Sequence, residues 1–97
     1  SAQDRLLTWE SRPATTDDGT GLFGGYDVLV RERKTGRPII GIMVVTESKR
    51  ELRRTMRTIL GRFARNWLAR SPVERTTHMR RAALVARQCG WSLEPSA

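Results

Sequence analysis

Arg50, Arg53, Arg54 and Arg57 recur at i, i+3, i+4 and i+7, the spacing that stacks side chains on one face of a helix. Lys49 stands just before them, and Arg62, Arg65 and Arg70 follow. Only Glu51 opposes them in this stretch, and its position suits a helix cap. A solvated helix normally interleaves signs, because like charges at i and i+4 cost about 0.2–0.5 kcal/mol per pair. A face that keeps the repulsion suits a polyanion, whose phosphates release counterions as each guanidinium meets them. Arginine's planar fork is well matched to phosphate oxygens. The chemistry expected is electrostatic contact, with no bond made or broken.

A second basic set, Arg75, Arg80, Arg81 and Arg87, lies further along. Arg80 and Arg81 extend the patch if the angle between two helices brings them toward Arg65 and Arg70, and sequence does not fix that angle. Arg31, Arg33, Lys34 and Arg37 surround a hairpin tip. A basic ribbon can enter a DNA groove, but charge on an exposed hairpin also serves to discourage edge pairing, which is the favoured reading here.

Other constellations carry less. Gly19-Thr20-Gly21-Leu22-Phe23-Gly24 matches G-x-G-x-x-G letter for letter. A dinucleotide fingerprint must follow a strand and open a helix, and here a strand follows instead. The stretch therefore reads as a flexible loop or a close backbone approach. His78 has Glu74 one helical turn earlier as an ion-pair partner, a common surface arrangement. Cys89 falls on a small-residue face and reads as an inert buried thiol. Asp17-Asp18 is a carboxylate pair with no further ligands at a metal-site spacing. No catalytic residue, metal site or small-molecule cofactor is expected.

The whole chain has 97 residues, 18 Lys+Arg against 10 Asp+Glu, and a formal charge of +8. That length is one domain, 1–97. One cysteine and one histidine cannot make a disulfide or a cysteine-based zinc site. No apolar run approaches the ~18 residues of a membrane span, and the N-terminus has no signal-like pattern. A cytoplasmic location is expected, on the nucleoid if the partner is DNA. Sixteen of the basic residues are arginine. A GC-rich coding bias would favour Arg over Lys, but it does not explain the net excess. The excess is also uneven. Residues 1–47 hold six basic and seven acidic groups; residues 48–97 hold twelve and three.

The elements that must position these groups follow from periodicity. Residues 5–10 read as a possible third, N-terminal strand, and 11–25 as a flexible loop rich in turn formers. Tyr26, Val28 and Val30 alternate with Asp27, Arg31 and Arg33, which predicts a half-buried strand. Lys34-Thr35-Gly36-Arg37 is a turn, and Pro38 to Val45 is a strand apolar on both faces, expected to lie centrally or to be covered on both sides. The hairpin spans 26–45.

Ser48 and Glu51 form a capping-box signature, and Leu52, Met56, Ile59, Leu60, Phe63 and Trp67 make one apolar stripe. They predict a helix over about 49–70. Ser71, Pro72 and Glu74 open a second helix, about 72–89, with Gly90 at its C′ position. Met79, Ala82, Ala83, Ala86 and Cys89, extended by Val85, form its packing face; Trp91 and Leu93 fold back and 94–97 fray. The result is an α+β fold: a small antiparallel sheet, then two helices covering one of its faces.

The order of three strands then a helix is loosely similar in layout to the small DNA-binding domains of some phage integrases, with no motif residue to carry over. A helix-turn-helix is disfavoured, because Ser71-Pro72 replaces the usual turn of three or four residues.

Three functions fit these features. The first is a non-enzymatic nucleic-acid-binding domain, DNA favoured over RNA, contacting phosphates through Lys49, Arg50, Arg53, Arg54, Arg57, Arg62, Arg65, Arg80 and Arg81. The second is a homodimeric protein-interaction module that takes an acidic partner. The third is a small basic nuclease using groups such as His78 and Tyr26. A membrane surface fits poorly, because the apolar stripe is needed for the core.

Overall fold

The computed structural model describes residues 5–15 and 22–93. It is an α+β fold: β1 (Leu7–Thr15), β2 (Leu22–Glu32), β3 (Pro38–Val45), α1 (Lys49–Leu68) and α2 (Pro72–Gln88). The strands form one antiparallel sheet in the order β1-β2-β3. Asp17-Asp18, Gly19, Gly21 and the tail 94–97 lie outside the described residues. Among the described residues, no helix is long and apolar enough to cross a membrane.

Residues 11–25 are not one loop. β1 runs on to Thr15, and β2 begins at Leu22, with Ser11, Arg12 and Pro13 paired to Val28, Asp27 and Tyr26. Pro13 is tolerated because β1 is an edge strand, where a missing N–H on the outer side costs no ladder bond. Gly24 and Gly25 of the glycine-rich stretch belong to β2. Of the two alternatives expected for β3, the central place does not hold: β2 is central and β3 is an edge. Met43 and Val45 of β3 are 54% and 79% exposed, so its second apolar face is only partly covered.

On one sheet face, Val28 and Val30 pack with Leu7, Val44 and the α1 residues Leu52, Met56, Ala64 and Trp67 in the main core. Ile59, Leu60 and Phe63 complete the α1 stripe at its half-buried margin. Burying these side chains, at roughly 1.5–3 kcal/mol each, is what holds α1 on the sheet. Ser48 caps α1 through its side chain, accepting from the Arg50 and Glu51 N–H groups. The other half of the capping box is replaced. Glu51 Oε2 accepts from Thr46 Oγ1 at 2.7 Å, and Thr46 Oγ1 accepts the Ser48 N–H at 3.3 Å. Ser71 and Glu74 make the full reciprocal box at α2. Arg75 closes the junction by donating to the Trp67 and Leu68 carbonyls at the end of α1.

The opposite face, carrying Asp27, Leu29 and Arg31, is not left open to water. α2 packs against β3 through its buried Ala82 and Ala86, and the chain beyond it crosses this face. Gly90 takes φ 79° to make that turn. Arg12 donates to the Cys89 carbonyl and lies 4.1 Å from the centre of the Trp91 ring. Arg31, expected to face outward near the hairpin, is instead 3% exposed. Leu29 is 1% exposed and stands apart from the main core. Cover is therefore not confined to one face, although Met43 and Val45 stay exposed on the second. Cys89 is exposed at the C-cap of α2 and is not the buried thiol expected from the small-residue spacing.

Candidate nucleic-acid interface

The arginines divide into two populations. Arg12, Arg31 and Arg75 are committed to carbonyls, carboxylates or a ring within the fold. Lys49, Arg50, Arg53, Arg54, Arg57, Arg62, Arg65, Arg80 and Arg81 are all exposed. Among the described residues, none of these nine has a side-chain hydrogen bond or an ion pair.

α1 positions seven of the nine. Its apolar stripe is fixed on the sheet, so the positions opposite that stripe must face solvent. Arg50, Arg53, Arg54 and Arg57 share two turns of one face, with Lys49 at its start. Arg65 is eleven residues, or about three turns, from Arg54 and lies on the same line. Arg62 falls on the flank of that line. At a rise of about 1.5 Å per residue, Arg50 to Arg65 spans roughly 22 Å of helix.

α2 does not extend this row simply. Its buried stripe, Ala82 and Ala86, faces β3, and Arg80 and Arg81 line different recesses beside β3. Arg80 lines a recess of about 190 Å³ with Arg37, Pro38, Thr76 and Met79, near the hairpin turn. Arg81 faces the other way, with His78, Ile39 and Gly41. Arg70 reaches the same histidine from the end of α1, its Nη1 3.3 Å from His78 Nδ1. Arg81 thus joins the end of α1 through His78, whereas Arg80 joins the hairpin.

Two of these neighbours are not evident from the sequence. By spacing alone, Arg37 belongs to the protection of the hairpin and Arg70 to the end of the helix row. The signal for Arg37 is Gly36, whose φ of 74° turns the chain directly into β3 beside α2.

The expected pairing of His78 with Glu74 does not occur. Glu74 turns back to the Ser71 N–H at 3.4 Å. His78 instead packs edge-on against Trp67, with ring centroids 5.7 Å apart. Burial, aided by the Arg70 guanidinium and then Arg81, holds its pKa below the ordinary 6.5, while a hydrogen bond to the Ile39 backbone works against them. A guanidinium can only donate, so Nδ1 is the acceptor and the neutral ring carries its proton on Nε2. Among the described residues, no three His, Cys, Asp or Glu side chains gather as a metal site.

Comparison with protein-family models, curated proteins and solved structures finds no match to this chain.

Proposed function

We propose that this domain binds nucleic acid, duplex DNA in preference to RNA, without catalysis, and that in a cell it sits in the cytoplasm on the nucleoid. The observation that carries the reading is the exposed row Arg50, Arg53, Arg54, Arg57 and Arg65, unpartnered among the described residues while other arginines are tied into the fold. Like-charged side chains on adjacent turns repel one another until an anion intervenes. Phosphates along a backbone supply anions at short, regular intervals and release counterions when they do. Lys49 and Arg62 widen the row, and Arg80 and Arg81 supply contacts from α2. The affinity is mainly electrostatic and carries little base readout.

Fluorescence anisotropy of a labelled duplex, followed against NaCl, tests this. Binding at about 50 mM salt should weaken steeply as salt rises. Absence of binding at that salt, or affinity unchanged by charge reversal of Arg53, Arg54 and Arg57 together, overturns the proposal.

A second reading draws on β3. Its edge position and the exposure of Met43 and Val45 suit pairing with a second copy, which would double the basic surface. A salt-resistant dimer in light scattering, with no affinity for duplex, favours an interaction module for an acidic partner over DNA binding. The nuclease reading gains nothing here, since Tyr26 packs on the core and His78 lies between Trp67 and Arg70.

A further inference from the structure

His78 sits where three elements meet. From α1, Trp67 packs against its ring, and Arg70, two residues past the end of that helix, donates to Nδ1. From β3, the Ile39 backbone takes a hydrogen bond. From α2 itself, Arg81 lies one turn further on and adds a second repelling charge. The other charged groups near this junction are spent elsewhere: Glu74 on the Ser71 N–H, and Arg75 on the Trp67 and Leu68 carbonyls. β3 brings no charge, since Pro38 to Val45 holds none.

The surface is concave on both sides of the ring. A recess of about 140 Å³ is lined by Phe63, Asn66, Trp67 and Arg70. Another of about 160 Å³ is lined by Gly41, Arg81, Ala82 and Val85. Both share Ile39, Ile40 and His78, so the two recesses adjoin at the histidine, one edged by Arg70 and the other by Arg81. Among the described residues, neither Arg70 nor Arg81 has an ion-pair partner.

We propose that Arg70, His78 and Arg81 form a seat for a phosphomonoester dianion, with Nδ1 of His78 taking a proton from solvent as the ligand binds. Two fixed cations match the two charges of the ligand. The Arg70 N–H now spent on the Nδ1 lone pair is released to a phosphate oxygen, and the protonated ring becomes a further donor. The ligand reverses the local balance: without it the guanidiniums resist the imidazolium, and with it the field between them favours the charged ring. This site goes beyond the α1 row and does not depend on it. The same chemistry is offered by the 5′ end of a nucleic-acid strand and by a free phosphate.

The chain has one histidine, so its ring protons give a single resolved titration by NMR. The full chain is titrated with acid in inorganic phosphate and, separately, in NaCl of equal ionic strength. The chloride arm measures how far simple screening of Arg70 and Arg81 raises the midpoint. Phosphate is expected to raise it by about one pH unit beyond chloride, and Arg70→Gln or Arg81→Gln should each remove that excess. Equal midpoints in phosphate and chloride for the unaltered chain overturn the proposal, whatever the variants do.

Two further arms use a DNA hairpin with a 5′-phosphate or a 5′-hydroxyl. A larger shift with the 5′-phosphate identifies a strand end as the source; a response to inorganic phosphate alone identifies a small phosphate. Loss of all duplex binding with the phosphate response intact would remove the nucleic-acid reading and leave this site standing.

Discussion

Glu10 of β1 and Arg31 of β2 form an ion pair on the second face of the sheet, with Arg31 Nη2 2.7 Å and Nε 3.1 Å from the same carboxylate oxygen. The remaining Arg31 donors reach the carbonyls of Gly36, Ser92 and Leu93. All five guanidinium N–H groups are thereby used, which is what allows a charge to be 3% exposed. Arg31→Ala leaves those carbonyls and the carboxylate without their donor. The expected loss is about 3 kcal/mol, on the order of 10–20 °C in Tm for a chain this size. Glu10→Gln should cost less, because the Glu10 side chain is 30% exposed and water can substitute. Thermal and urea unfolding of both variants checks the order.

The exposed α1 row should behave in the opposite way. Replacing Arg53, Arg54 and Arg57 with Gln removes no hydrogen bond or ion pair of the described residues. It relieves like-charge repulsion of about 0.2–0.5 kcal/mol per pair. Tm is expected to hold or rise slightly. If these side chains meet phosphates, the salt slope of duplex binding falls by about 0.9 for each phosphate no longer neutralised. A fall in Tm of the size expected for Arg31→Ala would show that the row serves the fold.

His78 makes stability depend on pH in a defined window. Its pKa is lower in the folded chain than the ordinary 6.5. Well above 6.5 the ring is neutral in both states and contributes no pH dependence. As pH falls below that value the unfolded chain takes up the proton more readily, so stability is lost until pH passes below the folded midpoint. Urea midpoints measured from pH 7.5 down to pH 5 should show this slope, and His78→Gln should flatten it. The comparison is the difference between the two curves.

Adjacent glycines in β2 should respond differently to the same substitution. A Cβ on Gly25 would stand 2.6 Å from the Val44 carbonyl oxygen, against backbone that cannot yield cheaply. At Gly24 the nearest atom is the Glu47 side chain, at 3.8 Å. Gly25→Ala is expected to cost on the order of 2 kcal/mol, and Gly24→Ala close to nothing. Equal unfolding midpoints would refute the close approach of Gly25 to β3.

What the sequence reveals, and what it hides, has a physical pattern. The α1 stripe, both serine N-caps and the Gly36 turn are legible because each depends on residues within one or two turns of chain. The course of residues 11–25 is not, because strand pairing is a long-range matter: Ser11 becomes strand only by meeting Val28. Turn-forming residues there set the local preference, and the ladder overrides it. The central place expected for Pro38–Val45 fails for a related reason, since an apolar run does not say which neighbour it has. At the site, the α1 row is readable from spacing alone. The roles of Arg70 and Arg37 are not, because both depend on how α2 lies against β3.

The latch over the second face also sets an order of events during synthesis. The bond from Arg12 to the Cys89 carbonyl joins residues 77 positions apart, and that from Arg31 to Leu93 joins residues 62 apart. The first cannot close until residue 89 has cleared the ribosomal tunnel, and the second not until residue 93 has. The β2–β3 hairpin and α1 use nearer partners and are free to assemble earlier. A nascent chain therefore holds a finished first face while Arg31 and Leu29 still meet water, and the second face closes only when residues 89–93 arrive.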